Sequence, residues 1–507
     1  MADAPTTIGR LPAGDDAAVA VSAPGAADLS YGGLHAQIAT TTAALRGLGV
    51  APNDRVAIVL PNGPEMAVSF LGVASACASA PLNPAYRAEE FEFYLSDLQA
   101  RCLIVEEGSA SPAVGVAERL GVELVRLRPT PERGAGSFTL SGAGAPSAAG
   151  ESLASTPDDV ALVLHTSGTT SRPKIVPLTH RNICASARNV ARTLALTPKD
   201  RGLVIMPLFH IHGLIAAVSA PLSAGGSVFC TPGFNALRFF AWMQEARPTW
   251  YTAVPTMHQA ILGRARHNGD VIAANPLRFI RSSSSSLPPQ VLHELEATFT
   301  APVVEAYGMT EAAHQMASNP LPPGKRKVGT VGLAAGPEVA ILDEAGALLP
   351  PGATGEIAIR GENVTPGYAN NPKANGEAFT QGWFRTGDQG VIDDEGYVTI
   401  TGRLKEIINR GGEKISPREV DEILMDHPAV QQVVTFAIPH PSLGEDVGAV
   451  VVLREGRKAS ERELRDFVAA RAADFKAPRK VLFMDEIPKG ATGKLQRIGL
   501  AQKLGLG

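Results

Sequence analysis

Residues 161–174 read Ala-Leu-Val-Leu-His-Thr-Ser-Gly-Thr-Thr-Ser-Arg-Pro-Lys. An apolar run with the pattern of a buried strand empties into a short stretch of small hydroxyl side chains that ends on a cation. Gly168 lets another backbone or a ligand approach closely. Thr166, Ser167, Thr169, Thr170 and Ser171 supply neutral donors, and Lys174 supplies charge. Together they suit the wrapping of a polyphosphate. The stretch is not a Walker A loop, because the second glycine before the lysine is missing and Ile175 follows Lys174.

Outward from this loop, short β-branched runs alternate with Ala-rich helical stretches. Strands are predicted at Val56–Leu60, Cys102–Glu106, Val122–Leu127, Ala161–His165, Leu203–Pro207, Trp250–Ala253 and Val303–Tyr307. Such alternation predicts an α/β protein with parallel sheets and helices on both faces. Residues 129–156 are rich in Gly, Ala, Ser and Pro and predict a surface loop. From Gly355 the pattern changes to short strands at Glu356–Arg360, Gly390–Asp393 and Tyr397–Gly402, with a turn at 394–396. Beyond Gly402 it becomes a small α+β unit. Helices are expected there at Pro417–Asp426 and Ser460–Ala473, and strands at Gln432–Ile438, Gly448–Leu453 and Val481–Met484. The domain boundary is placed at Gly402–Arg403, dividing the chain into 1–402 and 403–507.

The chain has 507 residues, 45% hydrophobic and 19% charged, with a formal charge of −4. This is too long for one core and too apolar for wholesale disorder. Residues 403–507 carry a balance of +3 and the remainder −7. No strongly basic domain stands out, which argues against a nucleic-acid binder. Cys77, Cys102, Cys184 and Cys230 are far apart and show no CxxC spacing, so a reducing compartment is favoured over a disulfide or zinc framework. The apolar stretch from Gly202 to Cys230 is broken by prolines, histidines and a Gly-Gly pair, and is a poor membrane span. No signal pattern opens the sequence, and its Lys-Leu-Gly-Leu-Gly end is not a peroxisomal address. The expectation is a cytoplasmic protein, monomeric or a weak homodimer, with small-molecule partners and no nucleic acid or membrane.

Four further segments accompany the hydroxyl loop: Glu-Ala-Tyr-Gly-Met-Thr-Glu at 305–311, Gly-Trp-Phe-Arg-Thr-Gly-Asp-Gln-Gly at 382–390, Gly-Arg-Leu-Lys-Glu-Ile-Ile-Asn-Arg-Gly-Gly-Glu-Lys-Ile-Ser-Pro at 402–417, and Pro-Lys-Gly-Ala-Thr-Gly-Lys at 488–494. In this order and spacing they resemble the adenylate-forming superfamily of acyl-CoA synthetases, adenylation domains and beetle luciferases. The resemblance spans nearly the whole chain. It implies a large N-terminal domain of αβαβα-type sheets plus a distorted β-barrel, and a small mobile α+β C-terminal domain. It also implies ATP, Mg²⁺ and coenzyme A as the molecules handled.

Residue by residue, the resemblance makes Lys494 the lysine that bridges the carboxylate and the α-phosphate, and Glu311 the magnesium ligand. Thr310 places a hydroxyl on the α-phosphate. Tyr307 lies against adenine with Glu305 and Ala306 at its edge. Asp388 and Arg403 hold the ribose, while Thr166, Ser167, Gly168, Thr169, Thr170 and Lys174 cradle the phosphates. Lys405 is the hinge. Arg410, Gly411 and Gly412, with Lys476 nearby, are the coenzyme A candidates. One departure is Ile175, where family members commonly carry glycine.

The acid itself is read from three segments. Pro-Leu-Phe-His-Ile-His-Gly at 207–213 matches a family motif, and His210 stands where amino-acid-activating members usually have Asp. Amino-acid activation is therefore disfavoured, and His210 joins Lys494, Thr310 and Glu311 as a catalytic candidate. Arg281 is followed by five serines at 282–286, where many relatives carry a smooth Gly-Ala floor. His314 lies just past Glu311. An apolar acyl chain would leave Ser283, Ser284, His210 and His314 unpaired, at about 1–3 kcal/mol for each buried group. A second carboxylate would satisfy them. The combined motifs look like the oxalate–CoA ligase branch of plants and fungi. A ligase for malonate, a 4-coumarate-like acid or a medium-chain acid, a luciferase-like oxygenase, and a nucleotide-binding pseudoenzyme stand as alternatives.

Overall fold

The computed structural model describes residues 5–142, 154–166, 173–488 and 495–506. Ser167, Gly168, Thr169, Thr170 and Lys494 lie outside these described residues.

Two large sheets organise the first four hundred residues. The seven-stranded sheet runs Phe138–Gly142, Glu123–Pro129, Cys102–Glu106, Arg55–Val59, Ala78–Pro81, Val160–His165, Ile175–Thr179. Its inner strands are parallel and its two edge strands antiparallel. The nine-stranded sheet runs Leu333–Ala334, His314–Ser318, Val303–Met309, Phe279–Ser282, Trp250–Ala253, Arg201–Val204, Ser227–Cys230, Val19–Ser22, Leu29–Ser30. Its central strands are parallel as well. Strands buried on both faces read as continuous apolar runs, which is why the parallel core was visible in sequence.

Helix Pro64–Ala76 shows how the layers stack. Ten of its 13 residues are buried, so it is apolar all round rather than along one stripe. It contacts Ala78–Pro81 of one sheet and Ser227–Cys230 of the other. Each fully buried Leu, Val or Phe on it contributes about 1.5–3 kcal/mol through area removed from water. Helix His180–Thr193 is the second connector. Thr179 Oγ1 accepts from Asn182 N at 3.2 Å and Asn182 Oδ1 accepts from Thr179 N at 2.9 Å, a capping box. The Asn182 amide also donates to Glu362 O and Val364 O, tying this helix to the loop beyond the third sheet's second strand.

That third sheet is antiparallel and five-stranded: Glu338–Leu342, Gly355–Arg360, Trp383–Ile392, Phe379–Thr380 and Val398–Arg403. It occupies the place of the expected barrel. The chain then passes through a single turn at Leu404–Glu406 into a fourth sheet built from Glu413–Ile415, Ile408–Arg410, Gly444–Leu453, Val430–His440 and Lys480–Phe483. Helices Pro417–Met425 and Glu461–Ala469 pack with it. This last unit rests on the body through Arg418 Nη1, which donates to Ile400 O at 2.6 Å, Ser416 Oγ on Thr401 O, and Gln432 Nε2 on Gln259 Oε1 at 3.1 Å.

Three expectations need correction. The stretch 129–156 is not all surface loop: Phe138–Gly142 is an edge strand. Phe138 is buried, and Gln37 clamps its peptide, accepting from Phe138 N and donating to Phe138 O. The strand expected at Leu203–Pro207 ends at Val204, and Leu208 N turns away to donate to Asn62 Oδ1 at 2.8 Å. The helix expected to reach Ala473 stops at Ala469, with a separate short turn at Asp474–Lys476.

Candidate active site

The site grows from one β-hairpin. Strand Val303–Met309 turns through Thr310–Ala312 and returns as His314–Ser318, pairing Met309 with His314 and Tyr307 with Ala317. So sharp a return needs left-handed backbone, and Ala313 (φ 45°) and His314 (φ 100°) supply it without glycine. Non-glycine residues in that region store strain, which the surrounding structure must hold. The hairpin carries Glu305, Ala306, Tyr307, Thr310, Glu311 and His314 to one place.

On one side of it lie the acidic and aromatic groups. Glu311 is buried, and its Oε1 accepts from Tyr368 Oη at 2.8 Å. Burial raises the Glu311 carboxyl, while the Tyr368 hydroxyl, Arg403 and Lys174 pull it back down. Lys174 Nζ sits over the Tyr368 ring, 4.3 Å from its centre. Thr166 N donates to Lys174 O at 2.9 Å and Lys174 N to Thr166 Oγ1 at 3.3 Å, closing the base of the hydroxyl loop. Ile175, the departure from the family pattern, is buried and opens strand Ile175–Thr179. Tyr307 Oη donates to Asp388 Oδ2, and Arg403 Nε pairs with Asp388 Oδ1 at 3.0 Å across adjacent strands. The Asp388 charge holds the Arg403 guanidinium above its usual range. Glu305 is pushed up to about 7 by burial. Its Oε1 accepts from Leu287 N at 3.1 Å, and its Oε2 has no partner among the described residues.

Behind the hairpin lies a polar core. His212 begins the π-helix His212–Ser219; such wide turns often occur at functional sites. Gly213 makes its entry possible, since a Cβ there would sit 2.2 Å from Pro207 O. His212 Nδ1 lies 3.1 Å from Ser284 Oγ, and His212 Nε2 lies 2.7 Å from Thr252 Oγ1. Its ring stacks on His314 at 4.8 Å and 19°. Ser283 Oγ donates to Ala306 O at 2.9 Å. Ser282 and Ser283 are buried, and only Ser285 of the five is exposed. His210 is half-buried and, with Phe209, Thr310, His165, Tyr86 and Asn83, lines a small cavity of about 50 Å³. Phe209 and Asn83 also border a wider apolar cavity of about 400 Å³ with Asn62, Pro207 and Phe234.

The coenzyme A and hinge candidates sit in the last unit. Lys405 is exposed in the Leu404–Glu406 turn. Gly411 and Gly412 form the exposed tip between Ile408–Arg410 and Glu413–Ile415, with φ of 59° and 98°. Arg410 pairs with Asp446 at 2.8 Å and Lys476 with Glu419 at 2.6 Å, both within that unit.

A buried carboxylate, Glu311, thus lies near Lys174 and Arg403, and Arg403 pairs with Asp388. The family model for AMP-binding enzymes matches residues 11–369, and the model for their C-terminal domain matches residues 419–494. The chain belongs to the AMP-binding enzyme family. Within it, the chain is 45% identical over 490 residues to an oxalate–CoA ligase of Arabidopsis thaliana, covering 95% of both. It is 46% identical over 476 residues to an oxalate–CoA ligase of Saccharomyces cerevisiae, covering 89% of this chain and 86% of that one. The crystal structure of ATP-bound MatB from Rhodopseudomonas palustris superposes with a TM-score of 0.88 at 29% identity over 98% of both chains.

Family motifs point to most of the nucleotide candidates. They do not point to Tyr368, Thr252 or Gln315, and His212 lies inside the 207–213 motif without having been given a role. Nor did they single out Arg281, although its signal was present: a charged residue inside the apolar strand Phe279-Ile-Arg-Ser, where all four residues are buried.

Among the described residues, no helix is long and apolar enough to cross a membrane.

Proposed function

We propose that this chain is an AMP-forming acid–thiol ligase that converts oxalate, ATP and coenzyme A to oxalyl-CoA, AMP and pyrophosphate. The observation that carries the choice of acid is a polar cluster behind the hairpin, in which His212 meets Ser284 Oγ at 3.1 Å and stacks on His314. Oxalate–CoA ligases among the most similar relatives support the same reading.

In the first half-reaction a carboxylate oxygen of the acid bonds to the α-phosphorus and the bond to the pyrophosphate oxygen breaks. In the second, the thiolate sulfur bonds to the activated carbonyl carbon and AMP leaves. Both steps need fixed donors and cations where charge gathers. Tyr307 faces the adenine, with Glu305 and Ala306 at its edge. Asp388 accepts from the ribose hydroxyls; each carboxylate oxygen has two lone pairs, so this is compatible with its bonds to Tyr307 and Arg403. Thr166, Lys174 and Thr310 hold the phosphates, with Ser167, Gly168, Thr169 and Thr170. His210 orients the acid.

Among the described residues no group of three or more His, Cys, Asp or Glu gathers to hold a metal. A single buried carboxylate fits a hard cation that arrives on phosphate oxygens and keeps its waters. Glu311 would hold Mg²⁺, which when bound neutralises phosphate charge. The unit 403–507 moves about Lys405 between the half-reactions, exchanging Lys494 for Arg410, Gly411 and Gly412, with Lys476 toward the coenzyme A phosphates. The protein works in the cytoplasm, as a monomer or weak homodimer.

The test is pyrophosphate release over a panel of oxalate, malonate, hexanoate and 4-coumarate. Oxalate should give the highest kcat/KM. Turnover of hexanoate or coumarate without oxalate would overturn the assignment.

Tyr368→Phe tests Glu311 separately. Loss of the hydroxyl removes one group that favours the carboxylate, so burial raises the carboxyl further. Ionisation is then completed at higher pH, and the acid limb of the pyrophosphate-exchange profile should move upward. Superimposable profiles would remove Glu311 from the rate.

A further inference from the structure

Arg281 is completely buried in strand Phe279–Ser282. A buried guanidinium ordinarily has a carboxylate beside it. Here its hydrogen-bond partners are a histidine, a threonine and a glutamine, with no carboxylate beside it among the described residues. Nη1 donates to His212 Nε2 and to Thr252 Oγ1, both at 3.4 Å, and Nη2 donates to Gln315 Oε1 at 3.3 Å. Nε has no partner among the described residues. Burial pulls the group down to about 9, and it remains charged at neutral pH. A cation kept at that cost, with no carboxylate beside it among the described residues, points to an anion that comes and goes.

Arg281 does not reach solvent, so its influence must pass through the groups it touches. Arginine can only donate. With His212 Nε2 unprotonated, its one lone pair faces the Thr252 hydroxyl at 2.7 Å and the Arg281 N–H at 3.4 Å. Thr252 Oγ1 also receives an Arg281 N–H, which leaves its own hydroxyl hydrogen for Nε2 at 2.7 Å. With Nε2 accepting, the imidazole proton resides on Nδ1 and is donated to Ser284 Oγ at 3.1 Å. Ser284 Oγ is then an acceptor from His212, and its hydroxyl hydrogen has no acceptor among the described residues. Ser284 holds this position at φ 74°, and His314, stacked on the same imidazole, at φ 100°. Two strained residues flanking one ring mark a place where geometry is held against local preference.

We propose that Arg281 and Thr252 are positioning residues that fix His212 as the Nδ1–H tautomer, so that Ser284 presents its hydroxyl hydrogen to the distal carboxylate of a short diacid. Hydrogen bonds in a chain polarise one another in the same sense. The relay thus carries the buried positive charge to the pocket surface without exposing a cation. It would favour a dianionic acid over a monoanion of the same length, and it rests on the oxalate reading above only for the identity of the acid.

Two arms test it on the full-length protein. Long-range ¹H–¹⁵N spectra of ¹⁵N-histidine-labelled protein at neutral pH, with the His212 signal assigned by its loss in His212→Gln, should show the Nδ1–H form. In Thr252→Val and Arg281→Lys the Nε2–H form should gain population. In the second arm, the same two variants should raise KM for oxalate about tenfold or more while KM for ATP stays within about twofold. Arg281→Lys, which keeps a charged donor, should be less impaired than Arg281→Met. An Nε2–H tautomer in the parent, or equal rises in both KM values, overturns the proposal. The spectra need no substrate, so a protein that ignores oxalate yet shows the Nδ1–H form would sink the choice of acid and leave the relay standing.

Discussion

Lys494→Ala should lower ATP–pyrophosphate exchange by about a thousandfold, while release of AMP from a preformed acyl-adenylate by coenzyme A keeps most of its rate. The size follows from the charges. In the first half-reaction a carboxylate must approach a phosphate that already carries negative charge. Two unit charges about 4 Å apart interact by about 4 kcal/mol at the effective dielectric of a partly buried site. One cation placed between them offsets a term of that size, and about 4 kcal/mol is about three powers of ten in rate. In the second half-reaction the sulfur attacks the acyl carbon, and the carboxylate oxygen is already bonded to the α-phosphorus, so the approach of a free carboxylate to phosphate that Lys494 offsets is past. The two assays therefore separate the role of Lys494 from general damage. Equal losses in both would mean a structural lysine, and an untouched exchange rate would remove it from the chemistry.

The parts of this molecule that were legible in sequence are those where local chemistry and global placement agree. Cys102–Glu106 and Trp250–Ala253 form strands at the predicted limits, because an apolar β-branched run buried on both faces of a parallel sheet has no other low-energy use. Phe138–Gly142 was hidden because only one of its residues is fully buried, and its pairing is secured by the distant Gln37. In the nucleotide site Glu305, Ala306, Tyr307, Thr310 and Glu311 are neighbours in sequence and carried by one hairpin, so there order along the chain nearly equals order in space. The polar core behind it is different. His212, Thr252, Arg281 and Gln315 come from four separate elements and Ser284 from the loop after one of them, and nothing local in the chain says that the four elements meet. His212 was quoted as part of a motif, and Arg281 as the residue before the serines. Only the stacking of strands Trp250–Ala253 and Phe279–Ser282, with Thr252 opposite Arg281, shows that the two belong to one network.

The same hairpin makes the second large prediction. Gly308 pairs with Gln315, just past a register shift at Tyr307. A Cβ at position 308 would lie 1.8 Å from His314 O and 2.7 Å from His314 C. Both are backbone atoms of the opposing strand, so no side-chain rotation relieves the clash, and Gly308→Ala must push the strands apart. Overpacking of this kind costs about 3 kcal/mol or more when backbone is the obstacle. The displaced segment is the one that carries Glu311 and sets the left-handed turn of His314. A shift near 1 Å at such groups lowers turnover about a hundredfold. Gly308→Ala should therefore show both a lower denaturant midpoint and a collapse of kcat/KM for acid and ATP together. Gly263→Ala is the contrasting case. Gly263 is exposed in helix Pro255–Ala265, its added Cβ meets nothing within 4 Å, and alanine there should stabilise by about 0.5–1 kcal/mol with activity unchanged. If Gly308→Ala behaved like Gly263→Ala, the hairpin would be looser than its register implies. The strain at His314 could then not be what holds the imidazole pair in place.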